Sequence, residues 1–302
     1  TGLGSGELSD EDVAWFIERG PGEAVEQIDV PTLLVGGTVD TLFTLDENLT
    51  VYDIIDGNDV PAAMIWFCGG HGTCLTDAGD ENRIAEATFA WLDRYVKGDQ
   101  GAPELPDLDL IDQDGSRWIV EDWPTPTNDE DALTASAANL GPLVLSTDSA
   151  PGAIAVPAGS GDVLAGLVSS ITPTPADEAL EATVGPADSE VLVLGAPTLE
   201  MTYSGILPEG ETDGRVFAQL VDDQLDVVVG NQITPIAVVL DGEQHTVEVD
   251  LEVIAQSMAP GDTLTLQLVA TTAAYATPPL GGEFSVQELA ISLPVPTDVE
   301  AG

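Results

Sequence analysis

The sequence predicts two architectures in one chain: an α/β unit over residues 1–100, then an all-β domain over residues 101–302. Three observations carry this. Two short apolar runs, "PTLLVGG" and "AAMIWF", alternate with stretches of helical period in the first part. A turn-rich linker, "GDQGAPELPD", follows them. Beyond it, short Val/Leu/Thr/Ile-rich runs recur between turn residues, the pattern of packed antiparallel sheets.

In chain order, "SDEDVAWFIERG" reads as a helix: Ser9 caps it, Asp12 completes a capping box, and Gly20-Pro21 stop it. "GEAVEQI" is a helical turn. "VPTLLVGG", bounded by Pro31 and Gly36-Gly37, is a buried strand. Residues 44 to 56 are helical, with Leu45, Leu49, Tyr52 and Ile55 on one face. "AAMIWF" is a second buried strand. "DENRIAEATFAWLDRYVKG" is a helix capped by Asp80 and closed by Gly98, with Ile84, Thr88, Trp91, Leu92 and Tyr95 as its stripe. Strand, helix, strand, helix implies parallel strands joined by crossover helices. After the linker, Asp114-Gly115 lies between two short runs and signals a hairpin. "SEVLVLG", "PTLEMTYSG", "RVFAQLVD", "IAVVLDGEQHTVEVDLE", "DTLTLQLVAT" and "FSVQELAISLP" supply the strands of the β domain, and "TLTLQLVA" and "HTVEVDLE" alternate with period two. The Ala/Pro/Thr/Asp-rich stretch from about 125 to 190 reads as loops and short strands of the same domain. No internal repeat is visible.

Charge bounds the function. The 302 residues hold 54 Asp+Glu against 6 Lys+Arg, a formal net charge of -48, yet 43% are hydrophobic and the mean hydropathy is +0.14. So apolar a chain can offset its ordering entropy and fold. No apolar run approaches the length of a membrane span. Nucleic acid and anionic membrane would be repelled, so neither is expected as a partner. No motif calls for a cofactor. The near absence of lysine and the excess of short carboxylates point to a salt-loving host. The first residue is Thr and no signal-peptide pattern is visible, so the chain reads as a mature product or a fragment.

Two residues carry the chemistry. Asp40 follows the first buried strand and His71 the second, and reactive groups of open α/β sheets collect beyond the carboxyl ends of strands. An acid followed one strand later by a histidine fits the chain order Ser…Asp…His of α/β-hydrolases. The Asp would fix the imidazole tautomer and the His would shuttle a proton. The plainer reading is an Asp capping the 44–56 helix and a surface histidine on a loop.

"IDVPTLLVGGTVDTLFTLDENLTVYDII" and "VPAAMIWFCGGHG" resemble the last third of the catalytic domain of X-Pro dipeptidyl-peptidase and cocaine-esterase-like serine hydrolases. "GAPTLEMTYSG", "RVFAQLVD", "GNQITPIAVVLDGEQHTVEVDLE" and "GGEFSVQELAISLP" resemble that family's C-terminal jelly-roll-like domain. The resemblance implies the C-terminal half of an α/β-hydrolase sheet followed by a jelly-roll-like β-sandwich. Residues 1–100 would hold the end of the cap, the acid and histidine strands and the last helix. It implies Asp40 as triad acid and His71 as triad base, acting on a small ester or peptide substrate. It also demands a serine on a G-x-S-x-G-like elbow upstream of the acid, and the sequence has no G-x-S-x-G. Only Ser5 and Ser9 precede Asp40, and neither follows a buried strand. The chain is therefore expected to be the C-terminal part of a longer hydrolase, inactive alone, with the missing N-terminal catalytic part as its partner. The alternative is a non-catalytic binding module with a vestigial hydrolase segment.

The only two cysteines, Cys68 and Cys74, bracket His71. They read as a disulfide, which suits a secreted family of this kind and needs an oxidising compartment. Two free thiols, or a zinc site with Cys68, His71 and Cys74 as ligands and Asp77 as a fourth, are the alternatives. His245, in an alternating run, reads as a solvent-facing strand residue. Trp118 and Trp123 read as anchors of a core or domain interface in preference to a sugar platform. Acid runs such as "NDED" at 128–131 read as solvated surface, lacking calcium-loop spacing.

The charge makes one prediction. At ~1 M salt the Debye length falls to about 3 Å, so self-repulsion of the surface is screened. The melting temperature should rise steeply from dilute buffer to molar NaCl; a flat calorimetric profile would refute the halophilic reading.

Overall fold

The structure is a computed structural model that describes residues 9–80, 82–127, 131–146, 154–155, 171–208, 210–272, 274–275 and 277–302. Ser5 and residues 128–130 of the acidic run lie outside the described residues, as does much of the stretch from 147 to 170.

The chain opens with helix α1 (Asp10–Arg19), whose Ser9–Asp12 capping box satisfies amides at its first turn. A 3-10 turn (Gly22–Gln27) leads to strand β1 (Thr32–Gly37), helix α2 (Leu45–Asp56), strand β2 (Ala62–Phe67) and helix α3 (Arg83–Tyr95). β1 and β2 pair in parallel, from Thr32 opposite Ala62 to Gly37 opposite Phe67. α2 buries Leu45, Tyr52 and Ile55, the face its periodicity predicts. α3 differs from its expected stripe: it buries Ala87 and Trp91, while Leu92 is exposed. Its N-cap is Asn82, not Asp80; the Asp80 carboxylate instead accepts the Asn82 amide, two residues too early to cap the helix.

The hairpin of β3 (Leu108–Ile111) and β4 (Arg117–Val120) turns at Asp114-Gly115 and joins the same sheet, with β3 parallel to β2. The sheet thus continues past the compositional linker at residue 100. The rest of the chain is β5 (Leu133–Val144), β6 (Ile154–Ala155), β7 (Ile171–Thr172), β8 (Leu180–Val184), β9 (Val191–Gly195), β10 (Thr198–Ile206), β11 (Asp213–Asp222), β12 (Val227–Val228), β13 (Thr234–Val239), β14 (Asp241–Asp250), β15 (Ile254–Met258), β16 (Leu264–Val269), β17 (Glu283–Leu293) and β18 (Glu300–Ala301). β18 returns to pair with β4, giving the first sheet the order β1-β2-β3-β4-β18. A four-stranded sheet β14-β10-β17-β5 is antiparallel throughout. A second antiparallel sheet runs β12-β11-β16-β8, with β13 also on β11. Both fill one core, with Met201, Phe284 and Ile291 from the first and Val216, Leu220 and Leu266 from the second. The run read as one segment, "IAVVLDGEQHTVEVDLE", is two strands in different sheets.

β16 shows where alternation misleads. All six of its residues are buried. The Gln267 amide on its polar face bonds the main chain of Ala176 and the side chains of Gln219 and Glu181, so a loop covers what the pattern assigns to solvent.

The two parts of the molecule share a second core: Leu45, Met64, Trp66 and Leu110 meet Leu192 and Leu194 of β9 and Val253 and Ala255 around β15. A polar seam runs beside it. The fully buried Asp112 accepts the amides of Asp114, Ser116 and Ser257 and the Ser257 hydroxyl, and Trp118 Nε1 donates to the same hydroxyl at 2.7 Å. Trp118 is thus an interface anchor.

Asp109 on β3 is buried between Arg83 of α3 and Arg117 of β4. Burial raises its carboxyl pKa, but the hydrogen bonds and charges of Arg117 and Arg83 outweigh that and hold it below the usual range. Its pairing therefore contributes stability above the unfolded-state value, lost as pH falls through the lowered folded one. Asp109→Asn should cost stability near the low end of roughly 3–5 kcal/mol, because both arginines keep some solvent. The check is urea unfolding at neutral pH, where an unchanged midpoint would exclude this role.

Candidate active site

β1 and β2 lie side by side and their carboxyl ends open into two turns. After β1 the chain tightens, with the Asp40 amide donating to the Gly37 carbonyl at 3.1 Å. After β2 it enters the Cys68–Cys74 loop. The turns touch so closely that side chains are excluded between them. A Cβ on Gly70, which sits at φ +113°, would lie 2.6 Å from the Asp40 carboxylate. One on Gly72 would collide with the Val39 carbonyl. Glycine here is a consequence of backbone meeting backbone.

That approach brings the predicted pair together. His71 Nδ1 lies 2.9 Å from Asp40 Oδ2 and 3.2 Å from Oδ1, and the His71 amide donates to Oδ2 at 3.1 Å. Oδ1 also accepts the amides of Leu42 and Phe43, both at 2.9 Å. The acid thus also holds the turn that leads into α2, so the helix-entry reading of Asp40 and the pairing with His71 describe the same carboxylate. Burial raises the Asp40 pKa, but the Phe43 amide, the His71 ring and the amides of Leu42 and His71 together bring it below the ordinary carboxylate range. Asp40 is ionised at neutral pH and stays so until the pH falls below that of a free carboxyl.

The two members differ in exposure: the Asp40 side chain is 8% exposed, the His71 side chain 40%. With Nδ1 facing the carboxylate, Nε2 is the ring nitrogen left for chemistry. The Phe43 ring stands edge-on to the imidazole, 5.2 Å between centroids, and limits its tilt. Leu42, Phe43 and Leu75 are exposed apolar side chains on these same two turns. Periodicity did not single them out, since loop side chains carry no pattern.

Cys68 and Cys74 are joined in a disulfide, with Cα atoms 5.4 Å apart. Neither sulfur is then available as a thiolate ligand, and among the described residues no cluster of His, Cys, Asp or Glu has the arrangement of a metal site. His245 is remote in sequence and role: its Nε2 meets Asp241 Oδ1 at 2.9 Å on β14, beside the Tyr203 ring.

No protein-family model matches the chain, and no curated protein does. Solved structures do. The chain superposes on an aminopeptidase from a marine sediment archaeon, Thaumarchaeota archaeon, with TM-score 0.63 and 12% identity over 98% of this chain and 62% of that one. The fold is that of these hydrolases. An alpha-amino acid ester hydrolase gives 0.60 and 11% over 90% and 57%, and a CocE/NonD family hydrolase from Staphylococcus aureus 0.57 and 10% over 95% and 59%. The chain spans about three fifths of the length of these structures.

The loop's covalent closure is directly measurable. Thiol titration in denaturant should find no free thiol before reduction and two after it. Cys68→Ser should lower stability by roughly 2–3 kcal/mol, the scale for closing a short loop; a wild-type protein that titrates two thiols without reductant would exclude the bond.

Proposed function

We propose that the chain carries the acid and base of a serine hydrolase triad and takes its nucleophile from outside these 302 residues. The observation that carries the reading is the 2.9 Å contact between Asp40 and His71 Nδ1 at the ends of adjacent parallel strands. In this scheme Asp40 keeps the proton on Nδ1 and stabilises the imidazolium. His71 Nε2 takes the proton of a serine hydroxyl as its oxygen attacks a carbonyl carbon. It then returns that proton to the leaving alcohol or amine. Water, activated the same way, releases the acyl group. The substrate is a small ester or an amide after an X-Pro dipeptide.

Three features support an absent catalytic part. β1 is the edge of its sheet among the described residues, and its Val35 is exposed although the faces of parallel strands are normally covered. α1 buries none of its residues while carrying Val13, Trp15, Phe16 and Ile17. Phe89 of α3 and Val96, the residue that caps its C-terminus, are 65% and 76% exposed. We read the two antiparallel sheets over one core as a jelly-roll-like β-sandwich that packs beside the catalytic part. The disulfide and the charge of -48 favour secretion into a high-salt surrounding.

The pure chain should turn over neither p-nitrophenyl esters nor X-Pro p-nitroanilides above a His71→Ala control. Turnover sensitive to a serine reagent would remove the missing-nucleophile reading. Produced together with the segment that bears the serine, the chain should support hydrolysis, and Asp40→Asn should lower kcat by about 10⁴-fold, the scale of losing the tautomer-fixing acid.

A further inference from the structure

We infer that the 230–232 turn of the β part is a positioning device for the Asp40–His71 pair, with Gln232 and Asn231 as positioning residues; this rests on the catalytic reading of that pair. The turn, between β12 and β13, reaches across the interface and stands against both site turns. Gln232 Nε2 donates to the main-chain carbonyl of Asp40 at 2.7 Å, a buried bond. Asn231 Nδ2 donates to the Thr73 carbonyl at 3.4 Å, two residues past His71 and inside the disulfide loop. The Gly230 amide donates to Gln113 Oε1 at 2.8 Å, while the Gln113 carbonyl accepts the Thr76 hydroxyl. One turn therefore binds the acid turn directly, the histidine loop directly, and Thr76 just past that loop through the β3–β4 hairpin.

Its backbone is unusual in the same place. Gly230 and Asn231 are consecutive left-handed residues, at φ 63° and 55°. A Cβ on Gly230 would lie 3.1 Å from the Thr38 carbonyl, so the turn meets the acid strand's end at backbone distance. Asn is among the few non-glycine residues that adopt this conformation readily. All three turn residues and Gln113 are buried. A side-chain amide that bonds a main-chain carbonyl under such burial is held by the cost of leaving either group unpaired. The carboxylate of Asp40 projects from the residue whose carbonyl Gln232 holds. Shifting that peptide changes the line from Oδ2 to Nδ1, and shifting Thr73 moves the imidazole against it. The β part thereby sets the distance on which proton transfer depends.

The chain has only two histidines, so ring ¹⁵N–¹H NMR reads His71 directly, with His245 as internal control. Wild type should show a downfield, slowly exchanging His71 Nδ1 proton, assigned by its loss in His71→Gln. Gln232→Met keeps side-chain length and removes the amide; Asn231→Gly keeps the left-handed turn and removes the amide. In each, exchange of the His71 ring proton should accelerate by about tenfold, the scale of one lost hydrogen bond, while the His245 resonances stay in place. Should Gln232→Met fail to fold, Asn231→Gly carries the test. A wild-type His71 ring proton left unchanged in the folded variants sinks the positioning role alone. A wild type without that proton sinks the pair itself, and the positioning role with it.

Discussion

A buried carboxylate must be given donors or it protonates, and that requirement organises this molecule around Asp40. Its two oxygens accept three main-chain amides and an imidazole nitrogen. Two of the amides come from the chain running into α2, so holding the acid and starting the helix are one event. The other two donors belong to His71, so holding the acid also fixes the base. These donors lie about 3 Å away, whereas the surface charge acts across solvent and is screened beyond roughly 8–10 Å in physiological salt. The strongly negative chain can therefore keep one more negative charge buried: the local amides outweigh the distant field.

The same economy governs the cations. With six Lys+Arg in the whole chain, two are directed at Asp109. This pins the start of α3, the helix that leaves the histidine loop, to β3 and β4. Arg94 and Lys97 instead meet the exposed carboxylates of Glu104 and Asp93 on and after α3, where such pairs contribute little. Between the two parts of the chain there is a division of labour. The shared apolar core around Trp66 and Leu194 supplies the free energy of contact. The directional bonds of Asp112 with Ser257 and of Gln232 with Asp40 fix the register.

Much of this was legible in the sequence, and the reasons divide cleanly. β1, β2 and α2 were readable because each has a solid apolar signal and clear stops, and the Asp and His follow directly from strand ends. Of the α3 stripe, Trp91 is buried and Ile84, Thr88 and Tyr95 are half-buried; only Leu92 faces solvent. Helical spacing places Leu92 beside Trp91, but periodicity cannot say which neighbours exist to cover a face. β18 is two residues long and has no pattern of its own; only pairing with β4 makes it a strand. The membership of β3 and β4 in the first sheet was hidden by a Gly/Pro linker, which marks a loop and not a change of sheet. Gln113, Asn231 and Gln232 were invisible for a deeper reason. Polar residues at a turn look like solvated surface until the partner main-chain groups, more than a hundred residues away, are known.

In the proposed triad, the pairing of a buried acid with an exposed base would also account for the glycines that flank His71. An imidazole that serves as a base has to keep Nε2 open to the incoming hydroxyl while Nδ1 is held by a group that solvent would otherwise loosen. Those demands conflict if the two residues sit at equal depth. The conflict is resolved when the acid sits low, under its own turn, and the histidine loop passes over it at main-chain distance with only hydrogen between. Any side chain at 70 or 72 would lift the loop and let water reach the carboxylate. Water there would compete for Oδ1 and Oδ2, raise the local dielectric and weaken the hold on Nδ1. In the proposed scheme the glycines and the covering turn of the β part are thus two answers to one problem, which is keeping the acid dry and the base wet within a single hydrogen bond.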